Sequence, residues 1–392
     1  MRGRRAVAAA SALMLAACVE GATAPAASTA LGISSSVNPS SVELIDGSTG
    51  PGSLYRLARP ANWNGDLVIY AHGRVSPNEP VALPAEGNDF IAMFGAQGFA
   101  VAFSSFSENG WVVKDAAQRT HQLLGIFVSK FGRPNRVYLG GASMGGLIAI
   151  KLAETHPQDY AGVLAACAVA GGTQLNFDYH ANVRTLFDFF YPGVLPGNAA
   201  FLPEDTDIDQ QIIAAAVAAM TADPAPAAYI ALLDQTPVPY ANGAELVESI
   251  VTALVGNASD LTDDLLARKP YFDNRSSTYS SVSLPAPLLE AINAGVQRFS
   301  ASPAALASLD HNYMPSGDLR MPMVMMSNVR DPVVPGFNQA SYLTAVTATG
   351  SANLLVQREV NAYGHCAFTP SEIATAFTDL VFWVQFGITP SP

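Results

Sequence analysis

Apolar and polar positions alternate in blocks along the chain, and the blocks predict strands that alternate with helices. Asp66 to Ala71 and Phe99 to Ser104 are short, continuous apolar runs, which is typical of parallel strands buried on both faces. A short helix is expected between them at Phe90 to Gln97. Asp115 to Phe131 repeats apolar residues at helical spacing, and a third strand begins at Arg136. This order predicts an α/β fold with a mostly parallel central sheet flanked by helices.

Later segments continue the same pattern. Gly162 to Val169, Met321 to Ser327 and Leu354 to Val360 have the apolar character of strands. Pro370 to Phe386 carries apolar residues at helical spacing and is expected to close the sheet as a helix. These elements leave one long segment without a strand pattern.

That segment, residues 172–315, predicts a large helical cap inserted before the last strands. Its apolar stretches suggest several short helices over the carboxyl ends of the strands, where substrate choice would be determined. An aromatic cluster near its start is either the core of the cap or part of an acyl or aryl pocket. The core of the fold would then consist of residues 40–171 and 316–392.

Composition supports a globular protein and excludes some classes. The chain has 392 residues, of which 49% are hydrophobic and 13% charged, so it can bury a large core and does not suit a disordered chain. Its net charge of -12, with no basic block in the mature chain, argues against nucleic-acid binding, which needs a basic surface for the phosphates.

The first 17 residues predict an export signal. Three arginines precede the apolar run Ala6 to Ala17, which is too short to span a bilayer and suits the central region of a signal peptide. Residues Leu15 to Cys18 resemble the lipobox of bacterial lipoproteins, in which the Cys becomes the lipidated first residue. The alternative is an ordinary cleaved signal with an incidental Cys.

Residues 18–39 would form a lipidated flexible tether, because they are rich in Ala, Ser, Thr, Gly and Pro. The folded domain is expected to begin near Ser40. Loss of the signal arginines would take the net charge to -15, which would not attract an anionic lipid surface. Membrane association is therefore expected only through an acyl anchor on Cys18, and the protein is expected to be an exported cell-envelope lipoprotein or to be secreted.

The strongest chemical motif lies between the third strand and the helix after it. Residues Gly141 to Gly145 read G-x-S-x-G, with the Ser at a turn so tight that small residues are needed on both sides. Such a turn raises the Ser143 hydroxyl above the sheet and directs the Met144 N–H at an oxyanion. The alternative is a glycine-rich turn with a solvated Ser.

On this motif the chain resembles the α/β-hydrolase family of serine esterases and lipases, which places an acid and then a His after later strands. Asp331 and His365 match those positions. Asp331 comes 188 residues after Ser143, and His365 comes 34 residues after Asp331. The resemblance implies that His365 is the base and that Asp331 orients it. Other possible acids are Asp310, Asp318 and Glu359, and the other histidines are better explained by structural roles.

The family also takes a second oxyanion N–H from the loop after an earlier strand. Here that loop begins His72-Gly73-Arg74, so Gly73 or Arg74 is the candidate donor and His72 a positioning residue. No cluster has metal-ligand spacing, and no cofactor is implied. The resemblance thus implies cleavage of small or polymeric carboxylic esters through an acyl-enzyme. The alternatives are an amidase or peptidase on this fold, or a noncatalytic ligand-binding surface lipoprotein.

Two cysteines remain besides Cys18, and an exported protein could pair them. Fungal tannases and related feruloyl esterases resemble this chain in having Cys directly after the catalytic His, but they pair it with a Cys directly before the Ser. Here that residue is Ala142, so only Cys167 is available as a partner for Cys366. Whether the two pair stays open at this point.

Overall fold

The computed structural model describes residues 42–262 and 269–392. The predicted signal peptide, Cys18 and the tether, and the expected domain start at Ser40, lie outside the described residues. The first described element begins at Val42.

An eight-stranded sheet organises the molecule. Its order is β1-β2-β4-β3-β5-β6-β7-β8, and every neighbouring pair from β4 to β8 is parallel. β1 pairs antiparallel with β2, and β2 antiparallel with β4. The strands are β1 Val42–Thr49, β2 Ser53–Pro60, β3 Leu67–Ala71, β4 Ala100–Ser104, β5 Val137–Ala142, β6 Gly162–Ala166, β7 Met323–Arg330 and β8 Leu355–Tyr363.

Helices cover both faces of the sheet. Alternate residues of β3 enter two different cores. Leu67 and Ile69 pack with residues of α2 (Val113–Phe131) and α3 (Met144–Thr155), whereas Val68 and Tyr70 pack with residues of α1 (Gly87–Gly95) and α11 (Pro370–Phe386). This is why the strand is apolar at every position. The helices of this layer are α1 Gly87–Gly95, α2 Val113–Phe131, α3 Met144–Thr155, α10 Phe337–Ala348 and α11 Pro370–Phe386.

The predicted α/β fold with a mostly parallel sheet is confirmed, but several boundaries differ. β7 and β8 each run three residues beyond their predicted ends, to Arg330 and Tyr363. The antiparallel hairpin of β1 and β2 was not predicted, because β1 is a largely exposed edge strand without a continuous apolar run. The first helix starts at Gly87 rather than Phe90. β6 ends at Ala166, three residues before the predicted end, because Cys167 takes a φ of 44° that a strand cannot continue.

Between β6 and β7, within the predicted cap segment, the described residues form six α-helices. They are α4 Thr173–Phe190, α5 Ala215–Ala222, α6 Ala225–Ala231, α7 Gly243–Thr262, α8 Ala286–Gly295 and α9 Pro303–His311, and a π-helix at Ile208–Ala214 leads directly into α5. In the part of the chain that the structure describes, no single helix has the length and apolar composition of a membrane span. One pair of helical segments, 208–222 with 225–231, passes the test together but is bent by 110°.

The cap contacts the core at the carboxyl ends of the strands. Trp111, next to the start of α2, donates a 2.9 Å hydrogen bond to Thr173 at the start of α4. The rings of Tyr179 in α4 and Phe337 in α10 lie 5.3 Å apart between centroids. The cap therefore lies over the edge of the sheet from which β5, β7 and β8 emerge into their loops.

Two acidic side chains lie inside the cap, of which Asp260 is buried and Asp178 is partly buried. Burial, with the nearby carboxylates of Asp260 and Asp273, raises the pKa of Asp178 to about 7. His180 lies beside this group, its Nδ1 2.9 Å from Asp260 Oδ2, with both side chains buried. Because the folded state holds a proton on Asp178 that the unfolded chain releases near pH 4, the contribution of Asp178 to stability falls as pH rises from about 4 to 7.

Asp178→Asn should remove this pH-dependent loss. We expect the free energy of unfolding of the variant, relative to that of the wild type, to increase as pH rises and to reach its largest difference above pH 7. Urea unfolding at pH 4.5, 6 and 8 measures it. Asp209→Asn, an exposed cap position, is the control and should follow the wild type. A difference between Asp178→Asn and the wild type that is constant with pH would contradict the assignment.

Candidate active site

Ser143 occupies a strained turn between a strand and a helix. β5 ends at Ala142, α3 begins at Met144, and Ser143 between them has φ 58° and ψ -124°. This conformation is unfavourable for a residue with a side chain. The turn is held by its backbone: the Ser143 N–H donates to the Ala166 carbonyl at 3.0 Å, and the Ser143 carbonyl accepts from the Gly146 N–H at 3.0 Å.

The glycines around Ser143 are required by close backbone contact. A Cβ on Gly141 would overlap the carbonyl of Gly145, and a Cβ on Gly145 would overlap the carbonyls of Ala71 and His72. Helix α3 can therefore approach β3 only because these positions lack side chains. The spacing of the G-x-S-x-G motif is explained by this packing.

Gly145→Ala should lower the free energy of unfolding by about 1–3 kcal/mol, because the new methyl group meets backbone atoms that cannot move independently. Gly125→Ala is a matched control, since Gly125 is also helical but a Cβ there would meet no atom within 4 Å beyond its own helix backbone and chain neighbours. That control should be stabilised by up to about 1 kcal/mol. Urea denaturation compares the two, and equal effects of the two substitutions would refute the packing argument.

Asp331 and His365 lie together after β7 and β8. His365 Nδ1 is 2.8 Å from Asp331 Oδ2, and Asp331 is 1% exposed. The other carboxylate oxygen, Oδ1, accepts from the N–H groups of Val333 and Val334, each at 2.9 Å. The backbone thus fixes the carboxylate as an acceptor. With Nδ1 donating to it, Nε2 of His365 is left with the lone pair that a base needs.

Hydrogen bonds hold the loop that carries His365 at residues before and after it in the chain. The Gly364 N–H donates to the Arg330 carbonyl at 3.0 Å. Asn328 accepts from the Ala367 N–H at 2.9 Å and donates to the Ala367 carbonyl at 3.0 Å. Nε2 of His365 is buried and has no hydrogen-bond partner within residues 42–262 and 269–392. The backbone contacts on both sides of His365 therefore fix the position of Nε2, although Nε2 itself makes no hydrogen bond there.

A disulfide joins Cys167 to Cys366, with the two Cα atoms 5.3 Å apart. It settles the pairing that sequence reasoning left open. Cys167 directly follows Ala166, whose carbonyl accepts the Ser143 N–H. The bond therefore ties the residue after His365 to the segment that holds Ser143, and brings the base to the same edge of the sheet as the serine.

Cys167, His365 and Cys366 are also the single group of three potential metal ligands found among the described residues, with their ligand atoms within 4.8 Å of one another. The two sulfur atoms are bonded to each other. A disulfide sulfur is not the thiolate that binds metals, so this group is explained by the covalent bond.

The candidate oxyanion donors surround Ser143. Met144 is the first residue of α3, so its N–H has no acceptor within the helix. A Cβ built on Gly73 would lie 3.4 Å from Ser143 Cβ and 3.9 Å from its Oγ, which places the backbone of Gly73, next to Arg74, beside the hydroxyl. The structure thus brings Ser143, Met144 and the Gly73-Arg74 segment together.

His72 stabilises the Gly73-Arg74 segment through a hydrogen bond and a ring contact. Its Nδ1 donates to the Gly73 carbonyl at 2.7 Å, and its ring stacks on Phe106 with centroids 3.8 Å apart. Burial lowers the pKa of His72 to about 4, so the ring is neutral at ordinary pH. Its place fits the predicted positioning role.

The competing residues lie elsewhere. Asp318 is exposed and paired with Arg320 at 2.8 Å, Asp310 lies in α9, and Glu359 lies within β8 opposite Ser327. The other histidines are explained by contacts or places of their own. His121 hydrogen-bonds Tyr160 and His180 hydrogen-bonds Asp260, while His156 and His311 lie at the ends of α3 and α9. Sequence reasoning missed Asn328, for which the chain carries no local signal.

Comparison with known proteins supports the fold. No protein-family model matches the sequence, and no curated protein matches it. Among solved structures, the feruloyl esterase B of Aspergillus oryzae is similar with a TM-score of 0.54 and 14% identity, over 89% of this chain and 81% of that one. An esterase of Aspergillus oryzae is similar with a TM-score of 0.51 and 15% identity, over 89% and 80%. The protein therefore has the α/β-hydrolase fold.

Proposed function

On this α/β-hydrolase fold, we propose that the chain is a serine hydrolase that cleaves carboxylic esters, with Ser143 as nucleophile, His365 as base and Asp331 as the acid that orients it. The observation that carries the proposal is the pairing of two features at one edge of the sheet. A serine is held at φ 58°, and a partly buried imidazole is bonded through Nδ1 to a carboxylate while its buried Nε2 is unbonded within the described chain.

In the proposed mechanism, Nε2 of His365 takes the proton of the Ser143 hydroxyl as the oxygen attacks the ester carbonyl. The N–H groups of Met144 and of Gly73 or Arg74 stabilise the resulting oxyanion. His365 then gives the proton to the leaving alcohol. Water repeats these steps on the acyl-enzyme and releases the acid, so no cofactor enters the reaction.

Esters are favoured over amides by the two solved structures that share the fold, since one is described as a feruloyl esterase and the other as an esterase. Because the fold supports several chemistries, the substrate class needs a direct test. A noncatalytic binding protein is disfavoured because it has no need for a strained serine beside an Asp–His pair.

A fluorophosphonate probe and a substrate panel test the proposal together. The purified protein should be labelled at Ser143, as read by peptide mass spectrometry, and labelling should disappear after unfolding in urea. Short-chain and aryl p-nitrophenyl esters should be hydrolysed much faster than the matching p-nitroanilides. Labelling with faster anilide cleavage would indicate an amidase, whereas neither labelling nor turnover would indicate a noncatalytic protein.

We also propose that the protein is exported and lipidated at Cys18. The Cys167–Cys366 disulfide supports an oxidising compartment, because such bonds are rare in the reducing cytosol. Mass spectrometry of the mature N-terminus should find a diacylated Cys18. A mature chain that starts at Val19 or later would reject lipidation while leaving export intact.

A further inference from the structure

The last residues of β7 and β8 are cross-strand neighbours that both contact the cap. Arg330 ends β7 directly before Asp331, and Tyr363 ends β8 two residues before His365. The two are paired in the sheet register. Contacts that fix Arg330 and Tyr363 therefore also fix the two segments that carry the acid and the base.

Arg330 joins the cap to β8. Its Nε lies 3.1 Å from Glu245 Oε2, near the start of α7, with the two side chains 25% and 17% exposed. Its Nη1 donates to Asn361 Oδ1 at 2.9 Å. One guanidinium thus connects α7 with both strands, in a partly buried setting where ion pairs are less screened than at the surface.

Tyr363 makes a second connection to the same helix. Its hydroxyl lies 3.2 Å from Ser249 Oγ and 3.4 Å from the Glu245 carbonyl. Ser249 gives its own proton to the Pro239 carbonyl at 2.7 Å, so the Tyr363 hydroxyl is the donor to α7, and its single proton is shared among Ser249 Oγ, the Glu245 carbonyl and the Glu248 carboxylate. Burial raises the pKa of the Tyr363 phenol, which keeps that donor protonated.

Glu245 is itself fixed by the start of α7. Its N–H donates to Asn242 Oδ1 at 3.0 Å, and its Oε2 accepts from the Ala241 N–H at 2.7 Å, which is similar to a capping box but uses the N–H of the residue before Asn242. Because the carboxylate is held by its own helix, a displacement of α7 is passed on to Arg330.

We propose that the first turns of α7 are a positioning element for the Asp331–His365 pair, acting through the contacts of Glu245 with Arg330 and of Ser249 with Tyr363. This inference rests on the proposed function. Asp331 is already fixed by two backbone N–H groups, whereas the His365 ring makes one side-chain hydrogen bond within the described residues. The main effect of the α7 contacts is therefore on the base.

The proposal makes the cap part of the catalytic geometry and gives it a role beyond choosing substrates. A cap that shifts would displace the end of β8 and, with it, the imidazole. Small displacements of a base reduce turnover steeply while leaving ground-state binding nearly unchanged. Loss of the α7 contacts is thus expected to change kcat and not KM.

Tyr363→Phe and Glu245→Gln test it, with Arg358→Met as the matched control. Glutamine keeps an oxygen for the capping bond, and phenylalanine keeps the ring. Arg358 also lies on β8 and bonds a carboxylate, that of Asp379 at 2.8 Å, but it faces α11 and not the cap. Both test variants should lose about tenfold in kcat for a p-nitrophenyl ester with KM within about twofold, while the control keeps its kcat.

A second measurement is independent of turnover. In ¹⁵N-histidine-labelled protein, the downfield proton of His365 Nδ1, assigned by its absence in His365→Ala, should shift or weaken in both test variants and stay in place in Arg358→Met. An unchanged resonance in both test variants overturns the proposal, as does an unchanged kcat in an active enzyme. If the resonance moves but the wild type hydrolyses no ester, the positioning role stands and the proposed function fails.

Discussion

Ser143→Ala should reduce kcat for ester hydrolysis by about four to six orders of magnitude, because no acyl-enzyme can form and only binding and oxyanion contacts remain. The fold should be unaffected, since the hydrogen bonds that Ser143 makes within the described residues come from its backbone N–H and carbonyl. Initial rates with a p-nitrophenyl ester, together with fluorophosphonate labelling, measure the loss.

Ser129→Ala is the control for this result. Ser129 lies on α2, is exposed, and bonds only locally to the Ile126 carbonyl at 2.7 Å. This variant should keep both turnover and labelling. If Ser143→Ala retained a tenth or more of wild-type turnover, or were still labelled, the nucleophile would have to be another residue.

Asp331→Asn should reduce kcat by about four orders of magnitude without unfolding the protein. The structure gives a specific reason. Two N–H groups, those of Val333 and Val334, point at one oxygen of Asp331, so the amide oxygen of an Asn must take that place. Its NH₂ group then faces His365 Nδ1, which must become the acceptor. The imidazole proton moves to Nε2, and the base loses the lone pair that faces the serine.

Asp318→Asn is the control, because Asp318 is an exposed acid paired with Arg320, and it should keep wild-type turnover. The double variant Ser143→Ala with Asp331→Asn should cost little more than Ser143→Ala alone, because the residues act as one unit. Near-normal turnover of Asp331→Asn, or loss of turnover in Asp318→Asn, would move the acid away from Asp331.

Local signals in the sequence were enough to locate several elements closely. The last helix was predicted at Pro370 to Phe386 and has those bounds. Thr369 and Glu372 form a capping box at its start, Pro370 occupies the first turn, and Gly387 ends the helix in a left-handed conformation. Each of these signals lies within a few residues of the boundary that it determines.

Contacts between distant parts of the chain carry no such signal. Glu245 and Arg330 are 85 residues apart, and Ser249 and Tyr363 are 114 residues apart. The pairing of Cys167 with Cys366 had one local hint, the cysteine beside His365, but its partner depended on how β6 and β8 are arranged. Such pairs follow from tertiary packing, so the sequence pattern located the catalytic candidates but not the residues that hold them.

The Cys167–Cys366 disulfide also has a topological consequence. The two cysteines are 199 residues apart, so the bond closes a covalent ring that contains the whole cap together with Asp331 and His365, while Ser143 lies outside it. A single peptide bond cut in the ring at any point before His365 would separate the polypeptide into one piece with the serine and another with the histidine. The two pieces would remain one molecule until a reductant is added, so a nicked chain would run as a single band without reductant and as two bands with it.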